Sequence, residues 1–183
     1  LFEVLNSVKD KNGRPAVITA NTLSANPVFD KIKDSDFTQY YFESFTETLR
    51  RSAAHADAFD MWKQGMDAGI FHPQSHGREH LYVKKWLKTL RDGDPVTRTA
   101  FDLGTWGLTY NVDPSIRGYY MGAFNSSEDA DIRVFEIIID DALRMFRDIF
   151  GYDSQSFTPT TYEWSPKIEP CLVNHGVRYV QST

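Results

Sequence analysis

Three of the five histidines of the chain lie close together, in the stretch Phe71–His80. His76 and His80 are four residues apart, a spacing that places two side chains on the same face of a helix. Two imidazoles arranged in this way can bind one divalent ion, as they do in helical zinc motifs. The sequence therefore predicts a metal site, most simply for zinc, with His76 and His80 as ligands.

The third histidine, His72, lies four residues before His76, but Pro73 interrupts any continuous helix through all three. His72 is therefore predicted at the end of a strand or in a loop, where it either contacts substrate or has a structural role. An apolar pair precedes it, and a helical pattern of apolar residues follows the motif. The histidine pair is thus predicted to open a helix that runs from about Gly77 to Arg91.

The segment from His76 to His80 also fits His-x-x-Glu-His, the inverted zinc-peptidase motif. In that motif Glu79 would be the base, and a second glutamate far downstream would complete the metal site. The downstream candidates are Glu136, Glu163 and Glu169. Gly77 inside the motif and a strand directly before it fit the start of a helix better than a long helix. Glu79 is then more simply an exposed residue of the first helical turn.

Apolar spacing and turn residues predict helices that alternate with strands along the chain. The predicted helices span residues 1–9, 57–67, 77–91, 128–150 and 165–176, and the predicted strands span 15–20, 70–74, part of 116–124, 155–158 and 177–182. Such alternation indicates a parallel sheet or a β/α barrel, whose functional residues lie at the carboxyl ends of the strands. Asn21, His76 and the segment Thr160–Trp164 follow predicted strands and are expected at that edge.

The longest predicted helix has the clearest signals at both ends. Ser126 is the expected cap, the helix runs from Glu128 to about Phe150, and Gly151 is the expected stop. Its apolar positions form one stripe, which consists of Ile132, Phe135, Ile139, Ala142, Leu143, Phe146 and Phe150. By contrast, residues 28–56 are rich in aromatic side chains but give no clear pattern.

The composition is that of a globular protein, with 41% hydrophobic and 25% charged residues. A length of 183 residues fits one domain, here taken as residues 1–183. The net charge of -5 argues against a nucleic-acid surface. The single cysteine, Cys171, rules out an internal disulfide, and no apolar run is long enough to span a membrane.

Two segments carry a resemblance to a known superfamily. The His-x-x-x-His pair after a strand is similar to that of the polysaccharide deacetylases (NodB-like, carbohydrate esterase family 4). The segment Ser156–Tyr162 resembles the family's Phe-Arg-Pro-Pro-Tyr segment, which follows a strand and walls the active-site groove. Phe157 and Pro159 agree with that pattern. Thr158 stands where the family has arginine, so the role of that arginine is not carried over.

The resemblance implies a distorted (β/α)7 barrel that removes N- or O-acetyl groups from a carbohydrate. A divalent metal, most simply zinc, would be held by His76, His80 and an aspartate, and water bound to it would be the nucleophile. The family's Asp-Asp pair, one member of which is the general base, is expected upstream of Leu1. The barrel is therefore expected to be incomplete at both ends, and the fragment alone to lack the acidic catalytic residues.

The substrate-binding residues expected on this hypothesis surround the histidine pair. They are His72, Pro159, Tyr162 and Trp164. Asp140 and Asp141 do not replace the family's acidic pair, because neighbours in the middle of a helix point about 100° apart. A third hypothesis is an inactive barrel that binds carbohydrate on aromatic surfaces such as Tyr162, Trp164 and Trp106.

Overall fold

The computed structural model describes residues 1–107, 120–126 and 128–182, which combine α-helices with short strands. The helices are α1 (Phe2–Ser7), α2 (Phe29–Asp34), α3 (Phe45–Arg51), α4 (Ala58–Asp67), α5 (Val83–Arg91), α6 (Pro95–Asp102), α7 (Asp129–Phe150) and α8 (Glu169–Asn174). The strands are β1 (Ile18–Thr22), β2 (Ala25–Pro27), β3 (Phe42–Ser44), β4 (Phe71–Ser75), β5 (Ser156–Phe157) and β6 (Tyr179–Val180). Two 3₁₀ turns, Thr160–Tyr162 and Pro166–Ile168, precede α8.

Four strands form one parallel sheet in the order β1-β4-β5-β6. Strand β1 pairs with β4 along its whole length, from Ile18 opposite Phe71 to Thr22 opposite Ser75. Each strand of this sheet lies beside the next one along the chain, and all four carboxyl ends share one edge. The predicted mixed α/β architecture with a parallel sheet is thus confirmed.

Helix α7 packs along the core, as its apolar stripe predicts. All seven residues of the predicted stripe are buried. The helix ends at Phe150, and Gly151 follows with φ of 80°, a left-handed conformation that only glycine adopts without strain. The prediction for Ser126 is wrong in detail, because Glu128 occupies the cap position. The Ser126 hydroxyl instead donates to Asp131 at 2.8 Å.

The segment that gave no clear pattern contains a small antiparallel ribbon flanked by helices. Strands β2 and β3 pair with each other, and α2 lies between them in the chain. Ser44 caps α3 by accepting from the Glu47 N–H. The aromatic side chains of this segment are used for packing: Phe37 belongs to the core, while Phe29 and Tyr40 pack against it.

The helix predicted from Gly77 begins six residues later, at Val83. The carbonyls of Gly77 and Arg78 explain the difference, because they accept from the N–H groups of Ser24 (3.1 Å) and Ala25 (2.8 Å). They are therefore engaged by the neighbouring chain rather than by an intrahelical partner. The residues that carry the histidine pair form a loop between β4 and α5.

The remaining predicted elements are shorter than expected or fall outside the described residues. Within the segment 116–124, where a strand was predicted, residues 116–119 lie outside the described part, and in residues 120–124 Phe124 makes a single parallel bridge with Trp164. The helix predicted for 165–176 is present as a 3₁₀ turn followed by α8, and Ser165 caps the turn. Within the described residues, no helix is both long enough and apolar enough to cross a membrane.

Candidate metal site

The histidine pair lies at the carboxyl end of the parallel sheet, where β4 passes into the loop before α5. His76 directly follows Ser75, the last residue of β4, and its N–H donates to the Thr22 carbonyl at 2.9 Å. Gly77 then has φ of 100°, and a Cβ at this position would lie 3.3 Å from the Phe124 ring. The backbone conformation therefore favours glycine here, and a side chain would in addition press on the Phe124 ring.

The rings of His76 and His80 lie side by side although no helix joins them. Their centres are 5.3 Å apart, and the ring planes meet at 66°. A tetrahedral zinc ion with bonds of about 2.0–2.1 Å to two imidazole nitrogens separates the ring centres by roughly 5.2 Å. The observed separation therefore fits two ligands of one metal ion.

A hydrogen bond fixes which nitrogen of His76 is free. Its Nδ1 lies 2.6 Å from the carbonyl oxygen of Thr158, an atom that only accepts. Nδ1 must therefore carry the proton, and the lone pair of the neutral ring is on Nε2. Metal-binding histidines have the same arrangement, because the bond to a carbonyl fixes the tautomer and orients the ring.

His80 has a buried nitrogen without a partner. Its Nδ1 is buried and makes no hydrogen bond within the described residues. An unsatisfied buried nitrogen is unusual, since nearly all such groups have a protein or water partner. A ligand at this atom would satisfy it, so the residues present fit a metal ion held by His76 and His80.

Both imidazoles are biased toward the neutral form that binds metals. Burial lowers the pKa of His76, and the Thr158 carbonyl offsets this in part. Burial also lowers the pKa of His80, and the neighbouring His76 lowers it further by charge repulsion, while hydrogen bonds to the backbone of His80 itself and of Met121 offset this in part. Because only the neutral ring offers a lone pair, this bias extends metal binding to lower pH.

We expect the pair to make folding of the metal-free protein sensitive to acid. Each histidine has a lower pKa in the folded chain than its ordinary value of about 6.5. The unfolded chain therefore binds more protons, and the stabilisation present above pH 6.5 is lost as the pH falls below it. Urea unfolding at pH 7.5 and 5.5 should show a larger loss of unfolding free energy for wild type than for a His76→Gln/His80→Gln variant. Equal losses in the two proteins would contradict this expectation.

The pair is not part of a larger ligand cluster in the described part of the chain. Residues 1–107, 120–126 and 128–182 contain no group of three or more histidine, cysteine, aspartate or glutamate side chains placed to hold a metal. Within these residues the site therefore supplies two nitrogen ligands. The expected third ligand, an aspartate upstream of Leu1, stays a prediction.

Polar side chains from the other strands meet at the same edge of the sheet. Gln181, just after β6, accepts from the Thr158 hydroxyl at 3.1 Å and from the Asn21 side chain at 3.4 Å. Since Asn21 lies on β1 and Thr158 follows β5, side chains from three strands join beside His76. The expectation that Asn21 lies at this edge is confirmed. The part played by Gln181 had no signal in the sequence.

Three of the expected substrate-binding residues lie in the segment after β5. Pro159 is buried and adjacent to Thr158, whose carbonyl holds His76. Tyr162 is 44% exposed and, like Thr161, has a positive φ, of 58°. Trp164 is half-buried, and its N–H donates to Glu169 at 3.2 Å. The structure thus places Pro159 next to the site and leaves the Tyr162 ring available on the same turn.

His72 does not lie beside His76 and His80. It lies near the start of β4, four residues before His76, which corresponds to about 13 Å along a strand. Its ring is exposed and stacks on Tyr152, with centres 5.3 Å apart. The Nε2 of His72 faces the Gln74 amide nitrogen at 3.0 Å. A direct contact between His72 and a ligand held at the His76–His80 pair is not favoured by this position.

The expectation of an exposed Glu79 is wrong. Its side chain is 3% exposed, and both carboxylate oxygens accept from Arg78, at 2.6 and 2.8 Å. Neighbouring aromatic packing encloses this ion pair, since the Arg78 guanidinium lies 4.1 Å from the Phe42 ring centre. A carboxylate whose two oxygens are both bound to Arg78 is a poor general base. The histidines of the motif, His76 and His80, also lie in a loop rather than on a helix. These features do not favour the peptidase hypothesis.

The downstream glutamates do not complete a peptidase site either. Glu163 accepts from Asn125 and Glu169 accepts from Trp164, while Glu136 lies exposed on α7. The burial of Arg78 and Glu79 was not predictable from the sequence, because charged neighbours in a predicted helix are usually on its surface.

Comparison of the chain with models of known protein families, with curated protein sequences and with solved structures finds no match in any of the three. The chemistry of the site is therefore the basis for a functional assignment. That site consists of two neutral imidazoles with adjacent rings at the carboxyl edge of a parallel sheet. It is bordered by amide and hydroxyl groups and by the segment that carries Tyr162.

Proposed function

We propose that this protein is a metal-dependent hydrolase of the polysaccharide deacetylase type, which removes N- or O-acetyl groups from a carbohydrate. The observation that supports it most is the His76–His80 pair, with a ring separation suited to one metal ion and a buried nitrogen without a partner. The ion is most simply zinc, since imidazole is one of its usual ligands.

The arrangement of the sheet supports the finer proposal of a (β/α)7 barrel. Four parallel strands follow one another in chain order, as the strands of a β/α barrel do. A flat sheet would separate β1 from β6 by about 14 Å, three strand spacings. The bond between Asn21 on β1 and Gln181 after β6 therefore indicates that the sheet curls at its carboxyl edge.

The proposed roles follow from the position of each side chain. His76 and His80 would hold the metal. When bound, the ion would lower the pKa of water and polarise the acetyl carbonyl. The Thr158 carbonyl orients the His76 ring through Nδ1–H. The Tyr162 ring offers a surface on which a sugar ring can stack, and the amides of Asn21 and Gln181 offer hydrogen-bond donors. No residue of the described part is assigned as the general base.

Acetate release from N-acetylglucosamine oligomers and from acetylated xylan would test the proposal in the full-length gene product. We expect release that chelation abolishes and zinc restores, and a loss of at least about 100-fold in His76→Ala and His80→Ala, since even residues that only support metal ligands are worth 10–100-fold. His55→Ala, which removes an exposed imidazole outside the proposed site, is the matched control and should keep activity. Glycan binding without acetate release, unchanged by chelation, would contradict the proposal and favour a non-catalytic carbohydrate-binding barrel.

A further inference from the structure

We propose that Asp141 is a positioning residue, which acts through Arg78 to hold the loop from Gly77 to Tyr82 and thereby sets the separation of the His76 and His80 rings. The inference rests on the proposed metal-binding role of that pair and assigns a role to a residue on a different element, helix α7. Asp141 does not itself touch either imidazole in the described contacts.

Arg78 is the link between the loop and the helix. Its guanidinium donates to both oxygens of Glu79 and, from a third nitrogen, to Asp141 at 2.9 Å. The Arg78 side chain is only 6% exposed, so these bonds are shielded from water and from salt. The planar guanidinium fixes the direction of every bond that it makes. The three bonds therefore define both the place and the orientation of the Arg78–Glu79 pair.

Asp141 is well suited to anchor this pair. It lies in the middle of α7, whose apolar stripe is buried over about five turns. One carboxylate oxygen accepts from Arg78 and the other from Arg144 at 2.6 Å, so the carboxylate cannot rotate freely. Nearby, the Ser24 hydroxyl donates to the Ala142 carbonyl at 3.0 Å, which ties the chain beside the loop to the same helix.

The two histidines depend on the loop to different extents. His76 is held at both its backbone and its ring, by Thr22 and Thr158. The His80 Nδ1 makes no hydrogen bond in the described part of the chain, so its ring is held less firmly than that of His76, by the Met121 backbone and by its own backbone. The His80 backbone directly follows Glu79, which Arg78 pins. Release of Arg78 from α7 is therefore expected to move His80 while His76 stays in place.

The test compares Asp141→Ala with Asp140→Ala, a matched control on the same helix. Asp140 is 51% exposed and pairs with Arg144 and His175, but not with the loop. Both substitutions raise helix propensity equally. We expect Asp141→Ala to weaken zinc affinity by about 10–100-fold, the usual effect of losing a residue that orients ligands, and Asp140→Ala to change it by less than about twofold.

A second measurement tests the positioning role of Asp141 independently of protein stability and of zinc binding. In the zinc-free protein at pH 7.5, ring protons of His76 and His80 should give a nuclear Overhauser cross-peak that Asp141→Ala removes and Asp140→Ala keeps. If the cross-peak of wild type persists in Asp141→Ala with the same intensity, the separation of the two rings is unchanged. That result would overturn the proposal, even if the variant unfolds more easily. If wild type binds no zinc, the metal hypothesis fails while the cross-peaks still decide the positioning role. Asp141→Asn, which keeps the shape without the charge, replaces Asp141→Ala should the latter fail to fold.

Discussion

Zinc affinity is expected to fall by at least about 100-fold when either His76 or His80 is replaced by alanine. Each substitution leaves a single imidazole, and the loss of a direct ligand should reach at least the upper end of the 10–100-fold effects known for supporting residues. The double variant should be hardly weaker than either single variant, because one remaining imidazole no longer chelates the ion and the two sites are therefore strongly coupled. Competition with a chromophoric chelator at pH 7.5 measures these affinities.

His72→Ala is the control for that experiment, since it removes a nearby imidazole that lies on β4 and not beside the pair. Its zinc affinity should equal that of wild type. Equal metal content in wild type, His76→Ala and His80→Ala would remove both proposed ligands and with them the hydrolase proposal. A loss in His72→Ala as large as in the other two would show instead that zinc binding is not confined to the pair.

Replacement of Arg78 by methionine should destabilise the protein by about 3–5 kcal/mol. Methionine fills much of the same volume, but it leaves Glu79 buried without a cation. Burial raises the pKa of Glu79 even with Arg78 present, so part of the cost would appear as uptake of a proton by this carboxyl. Urea unfolding at pH 7.5 measures the free energy.

Arg144→Met provides the comparison for Arg78→Met. Arg144 is 54% exposed, although it too pairs with Asp141, and exposed ion pairs contribute only about 0–1 kcal/mol. A double variant, Arg78→Met/Glu79→Leu, should recover part of the loss, because apolar residues can replace a buried ion pair at little cost. Similar destabilisation by Arg78→Met and Arg144→Met would mean that burial of the Arg78–Glu79 pair has no special cost.

The elements with strong periodicity were predictable from the sequence. Helix α7 carries an apolar stripe, a first turn with Asp129 and Asp131, and Gly151 as a stop, and all three are local features. Strand β4 and its neighbours were predictable within one to three residues. Their arrangement in a parallel sheet was predictable from their alternation with helices, whereas the sequence analysis predicted no strand order.

The loop that carries the site was not predictable, because long-range contacts decide its shape. Arg78 and Glu79 have good helix propensity, yet the carbonyls of Gly77 and Arg78 pair with residues of the preceding ribbon and the charges turn inward. Four-residue spacing suggested adjacent rings for His76 and His80 through a helix. The rings are adjacent, but a glycine turn and a buried ion pair bring them together. The spacing thus predicted the adjacent rings correctly, but the helix that was the reason for the prediction is absent.

The amide of Gln74 has a consequence for what His72 can bind. Its oxygen accepts from the N–H groups of Gln155 (2.9 Å) and Ser156 (2.8 Å), so the amide cannot flip. Its NH₂ group therefore faces the His72 Nε2, which must act as the acceptor, and the proton of the neutral ring is on Nδ1. Any molecule that meets this imidazole edge from solvent encounters an N–H group and has to offer an oxygen or nitrogen lone pair. Nδ1 therefore has no lone pair for a metal cation, but it can donate a hydrogen bond to a sugar hydroxyl or a carbonyl oxygen.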